Sequence, residues 1–126
     1  MLSQVDITPM DGYLYVEVSG KGTYDSALEL WQTIVNACNQ HQCFNVLGVQ
    51  RVKMAVDTLT ALDHHNIFTD LGIDHRYCIA WVDENPRTFE SIEFIKNVLA
   101  TRSNLYGKVF SNQDEAKTWL LTKLRK

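Results

Sequence analysis

The spacing of apolar residues differs from one part of the chain to the next, and in the first part it predicts two strands followed by a helix. Between Leu14 and Ser19, apolar and polar residues alternate, which is the pattern of a strand with one buried face. The turn signal Asp11-Gly12 precedes this strand, so a short antiparallel partner is predicted over residues 5–8. From Ala27 to Cys38 the apolar positions follow helical spacing instead.

The middle of the chain contains two short, nearly continuous apolar runs, at residues 44–49 and 77–82. Runs of this kind are typical of strands that are covered on both faces. A helix is predicted after each run, with capping residues at 57–58 for the first and at 85–86 for the second. Gly72 is a suitable residue to end the first of these helices.

The last part of the chain predicts a weaker strand over 105–110 and a final helix that begins at Asn112, with Glu115 completing a capping box. The whole order alternates strand and helix after an opening hairpin. It predicts a single α/β domain over residues 1–126. We expect a mixed, mostly parallel sheet of four or five strands, four main helices and an antiparallel N-terminal edge strand.

Composition narrows the classes of protein to which the chain can belong. The formal net charge is −3, which disfavours a general nucleic-acid binder because such proteins need a basic face. The three cysteines have no regular spacing, so no disulfide framework is predicted. The N-terminal residues lack the pattern of a signal peptide, and no apolar run is long enough to span a bilayer. We therefore expect a cytoplasmic protein with reduced thiols.

Three stretches of the chain carry a resemblance to a known family. They are Tyr13 to Thr23, Arg76 to Val82 and Val109 to Leu120. Together with the element order, they resemble the SpoIIAA-like family, which is grouped with STAS and CRAL-TRIO-type domains. The resemblance covers nearly the whole chain and implies one STAS-like domain. By analogy with lipid-carrying CRAL-TRIO domains, it also implies a hydrophobic ligand and an association with the membrane surface.

The same resemblance implies an alternative function, a protein-interaction switch of the anti-anti-sigma type. Members with that function carry a phosphorylatable serine in an Asp-Ser-x-Gly setting, where the third strand meets the second helix. The matching stretch here is 56–60, with Thr58 at the serine position and Thr60 in place of the glycine. Thr58 would then be the phosphosite, and the partner would be a regulatory protein.

Several polar groups are candidates for chemistry, but none forms a recognised catalytic motif. His64 and His65 are adjacent and would point about 100° apart on a helix, so no metal site is predicted. Cys78 lies inside a buried strand, where a thiol acts as a small apolar group. Asp83 and Glu84 follow that strand and are either functional residues at the carboxyl end of the sheet or solvated turn residues.

The stretch from Arg51 to Leu71 contains more apolar surface than a narrow helical stripe can bury. Phe68 lies one position off the predicted apolar face. We interpret Val52 to Phe68 as a flap that covers a hydrophobic ligand or dips into a membrane surface, where Arg51 and Lys53 would contact anionic headgroups. The alternative is an ordinary core helix with a broad apolar face.

The predicted function is therefore a non-enzymatic binding or regulatory domain for a small hydrophobic or lipid-like molecule. No catalytic residue, metal or other cofactor is predicted, and a homodimer is left open. The ligand would lie between the second and third helices and the sheet. Its predicted lining consists of Met54, Leu59, Leu62, Phe68, Trp81, Phe89 and Ile92.

Overall fold

A computed structural model describes residues 4–20, 24–52, 66–73, 76–84 and 106–124, together with residues 90, 93, 96 and 97. Five strands form one sheet. They are β1 (Gln4–Pro9), β2 (Leu14–Gly20), β3 (Asn45–Val52), β4 (Cys78–Asp83) and β5 (Tyr106–Phe110). The helices are α1 (Tyr24–His41), α2, whose described part is residues 66–71, and α3 (Gln113–Leu124).

The strands are arranged in the order in which they occur along the chain. β1 and β2 form an antiparallel hairpin, whereas β2, β3, β4 and β5 run parallel to one another. The predicted mixed sheet with an antiparallel edge strand is confirmed. Because parallel strands end on the same side, β2 to β5 share one boundary, which we call the carboxyl edge. Its last residues are Gly20, Val52, Asp83 and Phe110.

Each face of the sheet has its own apolar core. On the first face, α1 packs on β2, β3 and β4, together with α2, through Leu30, Trp31, Ile34, Val35 and Cys38. On the second face, α3 covers β3, β4 and β5 through the fully buried Ala116 and Leu120. The Asn112 side chain caps α3 by accepting a hydrogen bond from the Glu115 backbone N–H, with an N···O distance of 3.0 Å. The capping position predicted from the sequence is therefore confirmed.

Both α1 and α2 end in the same hydrogen-bonding arrangement, in which a residue with positive φ closes the helix. In α2 that residue is Gly72, as predicted, with a φ of 76°. Its neighbour Ile73 donates a backbone hydrogen bond back to Phe68. In α1 the equivalent residue is Gln42, with a φ of 51°. Gln42 therefore adopts a backbone conformation that is unfavourable for a residue with a Cβ atom.

Replacing Gln42 with glycine is expected to raise the free energy of unfolding by about 0.5–1 kcal/mol, part of the roughly 1–2 kcal/mol that a left-handed conformation costs a residue with a Cβ atom. Glycine adopts a positive φ without the steric cost of a Cβ atom. The gain is limited because Gln42 Nε2 donates a hydrogen bond of 2.6 Å to the Asn39 carbonyl oxygen, and glycine would lose this bond. Urea denaturation of the variant and the parent protein measures the difference. A destabilised Gln42→Gly protein would contradict the expectation.

The predicted count of four main helices is not matched, because the described residues form three helices, α1, α2 and α3, and beyond these only four helical residues after β4. The fourth was predicted after β4, beginning at 85–86, and most of that stretch lies outside the described residues. Glu90, Glu93, Lys96 and Asn97, which are described, are helical. In the parts of the chain that the structure describes, no helix has both the length and the apolar character needed to cross a membrane.

Candidate functional site

The carboxyl edge of the sheet is where parallel α/β proteins usually place their functional groups. In this protein two polar side chains, Gln50 and Asp83, are buried there on the face that packs against α1 and α2. Gln50 and Asp83 are direct neighbours across β3 and β4 in the sheet register. Burial of polar groups is costly unless they are hydrogen-bonded, and among the described residues no buried side-chain nitrogen or oxygen lacks a hydrogen-bond partner.

Gln50 is held by a hydrogen bond to an indole ring. Trp81 Nε1 donates to Gln50 Oε1 over 2.9 Å, and both side chains are buried. Gly48 makes this arrangement possible, because Trp81 is its register partner and the ring lies directly over it. A Cβ atom on Gly48 would lie 2.3 Å from two ring carbons of Trp81. The glycine, the indole and the amide therefore form one unit.

An aromatic cluster lies beside this unit. The ring centroids of Trp31, on α1, and Trp81 are 5.0 Å apart. Phe68, on α2, meets Trp31 edge to face with a centroid separation of 4.7 Å. Such geometries are favourable for aromatic pairs. The cluster of Trp31, Phe68 and Trp81 thus joins α1, α2 and β4. We call it the aromatic wall, and it lies beside Gln50 through Trp81.

The opposite face of the carboxyl edge is charged and more exposed. Arg51 Nη2 lies 3.7 Å from Glu17 Oε1, and Arg51 Nη1 lies 4.0 Å from Glu84 Oε1. Tyr15 donates a hydrogen bond of 2.9 Å to Glu17 Oε1. Burial, followed by this hydrogen bond, raises the pKa of Tyr15. Arg51, predicted to contact lipid headgroups, is thus flanked by two carboxylates, which offset its attraction for an anion.

The structure describes only some of the residues predicted to form the site. Phe68 and Trp81 are brought together through Trp31. Phe68 is 1% exposed and packs in the core with Ile67, which agrees with the alternative of a core helix with a broad apolar face. The remaining predicted residues lie outside the described part of the chain. They are Met54, Leu59, Leu62, Phe89 and Ile92 of the lining, Lys53 of the headgroup contact, and the phosphosite Thr58.

Sequence analysis did not identify Gln50 or Trp31 as site residues. Trp31 follows the apolar stripe of α1 and was therefore assigned to the core. Gln50 directly follows the apolar run over 44–49, and the sequence pattern predicts no role for it. A signal is present in the sequence, because Gly48 and Gln50 are the two positions without an apolar side chain on the face of β3 that also carries Val46. The missing side chain of a glycine in a strand leaves room for a large side chain on the neighbouring strand, and an amide two positions later can accept a hydrogen bond from it.

Reactive groups elsewhere in the described residues are few. Burial raises the pKa of the Cys38 thiol to about 12, and the nearby Cys43 contributes to this rise. Burial also raises the pKa of Cys78. Both thiols are therefore mostly protonated at neutral pH, and their nucleophilicity increases as the pH rises. No group of three or more metal-binding side chains occurs among the residues that the structure describes.

No protein-family model matches this chain, and a comparison with characterised proteins finds no match either. The SpoIIAA-like resemblance therefore stays a prediction. The candidate site therefore consists of the buried Gln50 and Asp83 beside the aromatic wall at the carboxyl edge.

Proposed function

We propose that the protein is a non-enzymatic binding module that takes a small hydrophobic or lipid-like ligand with one polar end. The observation that carries this proposal is the buried Gln50–Trp81 pair, which lies beside Asp83 and next to an aromatic wall. Ligand sites in proteins are mostly apolar and contain a few placed polar groups, and this edge provides both. The raised pKa values of Cys38 and Cys78 support a role without covalent catalysis.

In this proposal the apolar part of the ligand lies against the aromatic wall, and its polar end meets Gln50 or Asp83. The connection after β3 leaves the sheet beside these residues, since β3 ends at Val52. Met54, Leu59 and Leu62 would then supply the outer lining, with Phe89 and Ile92 on the side of the following connection. The proposed domain is the SpoIIAA-like form of the fold, with a fourth helix to which Glu90 and Glu93 would belong.

A ligand-binding experiment tests the proposal with Trp31 and Trp81 as internal reporters. Trp119, on α3, is replaced by phenylalanine, so that fluorescence comes from these two indoles alone. Titration with oleate is expected to change their emission. The Gln50→Leu variant should bind oleate about tenfold more weakly, which corresponds to the loss of roughly one hydrogen bond. Gln32→Leu, which alters an exposed amide on α1, should bind with unchanged affinity.

Stability measurements separate a binding role of Gln50 from a purely structural one. Gln50→Leu leaves the buried Trp81 N–H without its partner, which should cost about 1–3 kcal/mol. The double variant Gln50→Leu with Trp81→Phe should recover most of that loss, because no orphaned donor remains. If this stable double variant binds oleate as tightly as the parent, the carboxyl edge is not the ligand site. Native mass spectrometry of the purified protein would detect a co-purified ligand and would distinguish a monomer from a homodimer.

Peripheral membrane association is part of the same proposal, with the protein located in the cytoplasm. Vesicles of phosphatidylglycerol and phosphatidylcholine are compared by sedimentation. Binding through Arg51 and Lys53 should be specific for the anionic vesicles and should weaken in the double variant Arg51→Gln with Lys53→Gln. Equal binding to both kinds of vesicle would contradict the headgroup contact.

The protein-interaction switch remains the second candidate function. The supporting observation is that β3 lies between β2 and β4, so the connection that carries Thr58 leaves from the centre of the carboxyl edge. A phosphate there would add charge where a regulatory protein could read it. Intact-mass analysis of the protein from its own cells, with Thr58→Ala as the control, tests this. An unmodified protein and an unchanged set of partners for Thr58→Ala would exclude the switch.

A further inference from the structure

Two cysteines meet at the end of α1. The backbone N–H of Cys43 donates a hydrogen bond of 3.0 Å to the Cys38 carbonyl oxygen. One hydrogen bond and three covalent bonds span the gap, so the two Cα atoms are no more than about 7 Å apart. Separations in this range permit a disulfide, whereas larger ones do not.

The helix ending also favours contact between the two side chains, although the Cys43 thiol donates weak hydrogen bonds to the Gly12 and Asn45 carbonyl oxygens, at 3.6 and 3.8 Å, and must rotate to meet Cys38. In this kind of ending, the residue that donates the bond usually contacts the side chain of the residue that accepts it. Here those residues are Cys43 and Cys38. Burial is the main cause of the raised pKa of Cys38, and the smaller contribution of Cys43 is consistent with two neighbouring thiols. Both are free thiols in the structure.

The two thiols differ in their access to solvent. Cys38 is fully buried in the core. Cys43 is half-buried and lines an open groove of about 570 Å³ at the end of the sheet opposite the carboxyl edge. The groove also includes Met10, His41 and Arg76. A small reagent can therefore reach Cys43 first, while Cys38 reacts only with a sulfur that is already attached at Cys43.

We propose that Cys38 and Cys43 are a modification site, a dithiol that a low-molecular-weight disulfide such as oxidised glutathione converts into an internal disulfide. Transient disulfides of this kind in reducing compartments commonly serve as redox sensors. The bond would tie the last turn of α1 to the residue that leads into β3. It would also fix the rim of the groove.

The reaction proceeds in two exchange steps. The deprotonated Cys43 sulfur attacks one sulfur of oxidised glutathione, which forms a mixed disulfide and releases one glutathione thiolate. The deprotonated Cys38 sulfur then attacks the Cys43 sulfur, which forms the Cys38–Cys43 bond and releases the second glutathione thiolate. The two protein thiols are oxidised and one glutathione disulfide is reduced. The two protons pass through solvent to the released thiolates.

Mass spectrometry of the native protein treated with oxidised glutathione tests the proposal. We expect a transient glutathione adduct at Cys43, followed by a species that has lost two hydrogens, whose peptide map links Cys38 to Cys43. Because the pKa of Cys38 is about 12, the second step should accelerate about tenfold per pH unit between about pH 7 and pH 9. The map of the unaltered protein identifies the link without depending on the folding of any variant.

Variants assign the order of the steps. Cys43→Ser should form no adduct and no internal disulfide, whereas Cys38→Ala should stop at the glutathione adduct. Cys78→Ala, which changes a thiol in the other core, should behave like the parent protein. A parent protein that retains the adduct at every pH, or a peptide map that links Cys78, would overturn the proposal.

Discussion

Replacing Gly48 with alanine is expected to lower the free energy of unfolding by about 3 kcal/mol, the upper part of the range for overpacked cores. The added Cβ would lie 2.3 Å from two carbon atoms of the Trp81 ring. Trp81 could move only by disturbing its hydrogen bond to Gln50 and its contact with Trp31. Urea denaturation followed by circular dichroism measures the loss.

Two comparisons show whether the Trp81 ring is the cause. Gly72→Ala is a matched control, because its Cβ would meet no atom within 4 Å and the substitution would strain only a φ of 76°. That control should cost about 1–2 kcal/mol. Combining Gly48→Ala with Trp81→Leu should cost less than the sum of the single changes, since the smaller side chain removes the clash. Additive losses would mean that the ring does not lie over Gly48.

Replacing Phe68 with alanine is expected to cost about 3–5 kcal/mol, the typical range for a buried phenylalanine. Phe68 is among the largest fully buried side chains and packs edge to face on Trp31. Its removal would leave a cavity between α1 and α2. Thermal unfolding and the emission of Trp31 should both change.

Met10→Ala is the matched control for this truncation. Met10 is a large apolar residue that is 46% exposed, so its truncation should change the free energy of unfolding by no more than about 0.5 kcal/mol. The two variants therefore distinguish a core residue from a surface residue. Equal, small decreases in the free energy of unfolding for Phe68→Ala and Met10→Ala would indicate that Phe68 is a surface residue, and would support its interpretation as part of a mobile flap.

The sequence by itself determined the strands, the order in which they alternate with helices, and the helix boundaries at Asn112 and Gly72. Strands could be predicted because a half-buried strand must alternate its side chains between two faces, as β2 does. Helix boundaries could be predicted because capping is local. Asn112 accepts a hydrogen bond from a residue three positions away, and Gly72 closes α2 within its own backbone. Capping interactions join residues that are only a few positions apart, so a short stretch of sequence contains both partners.

Only the tertiary structure decided the surroundings of Phe68, Gln50 and Arg51. Helical periodicity placed Phe68 beside the apolar face, but its burial depends on Trp31, which belongs to another helix. The burial of Gln50 depends on its hydrogen bond with Trp81 on the next strand. The charge of Arg51 is offset by the two carboxylates on either side of it. The physical reason is the same in each case. A side chain's free energy depends on which distant groups the fold brings against it, and a local pattern contains no record of those partners.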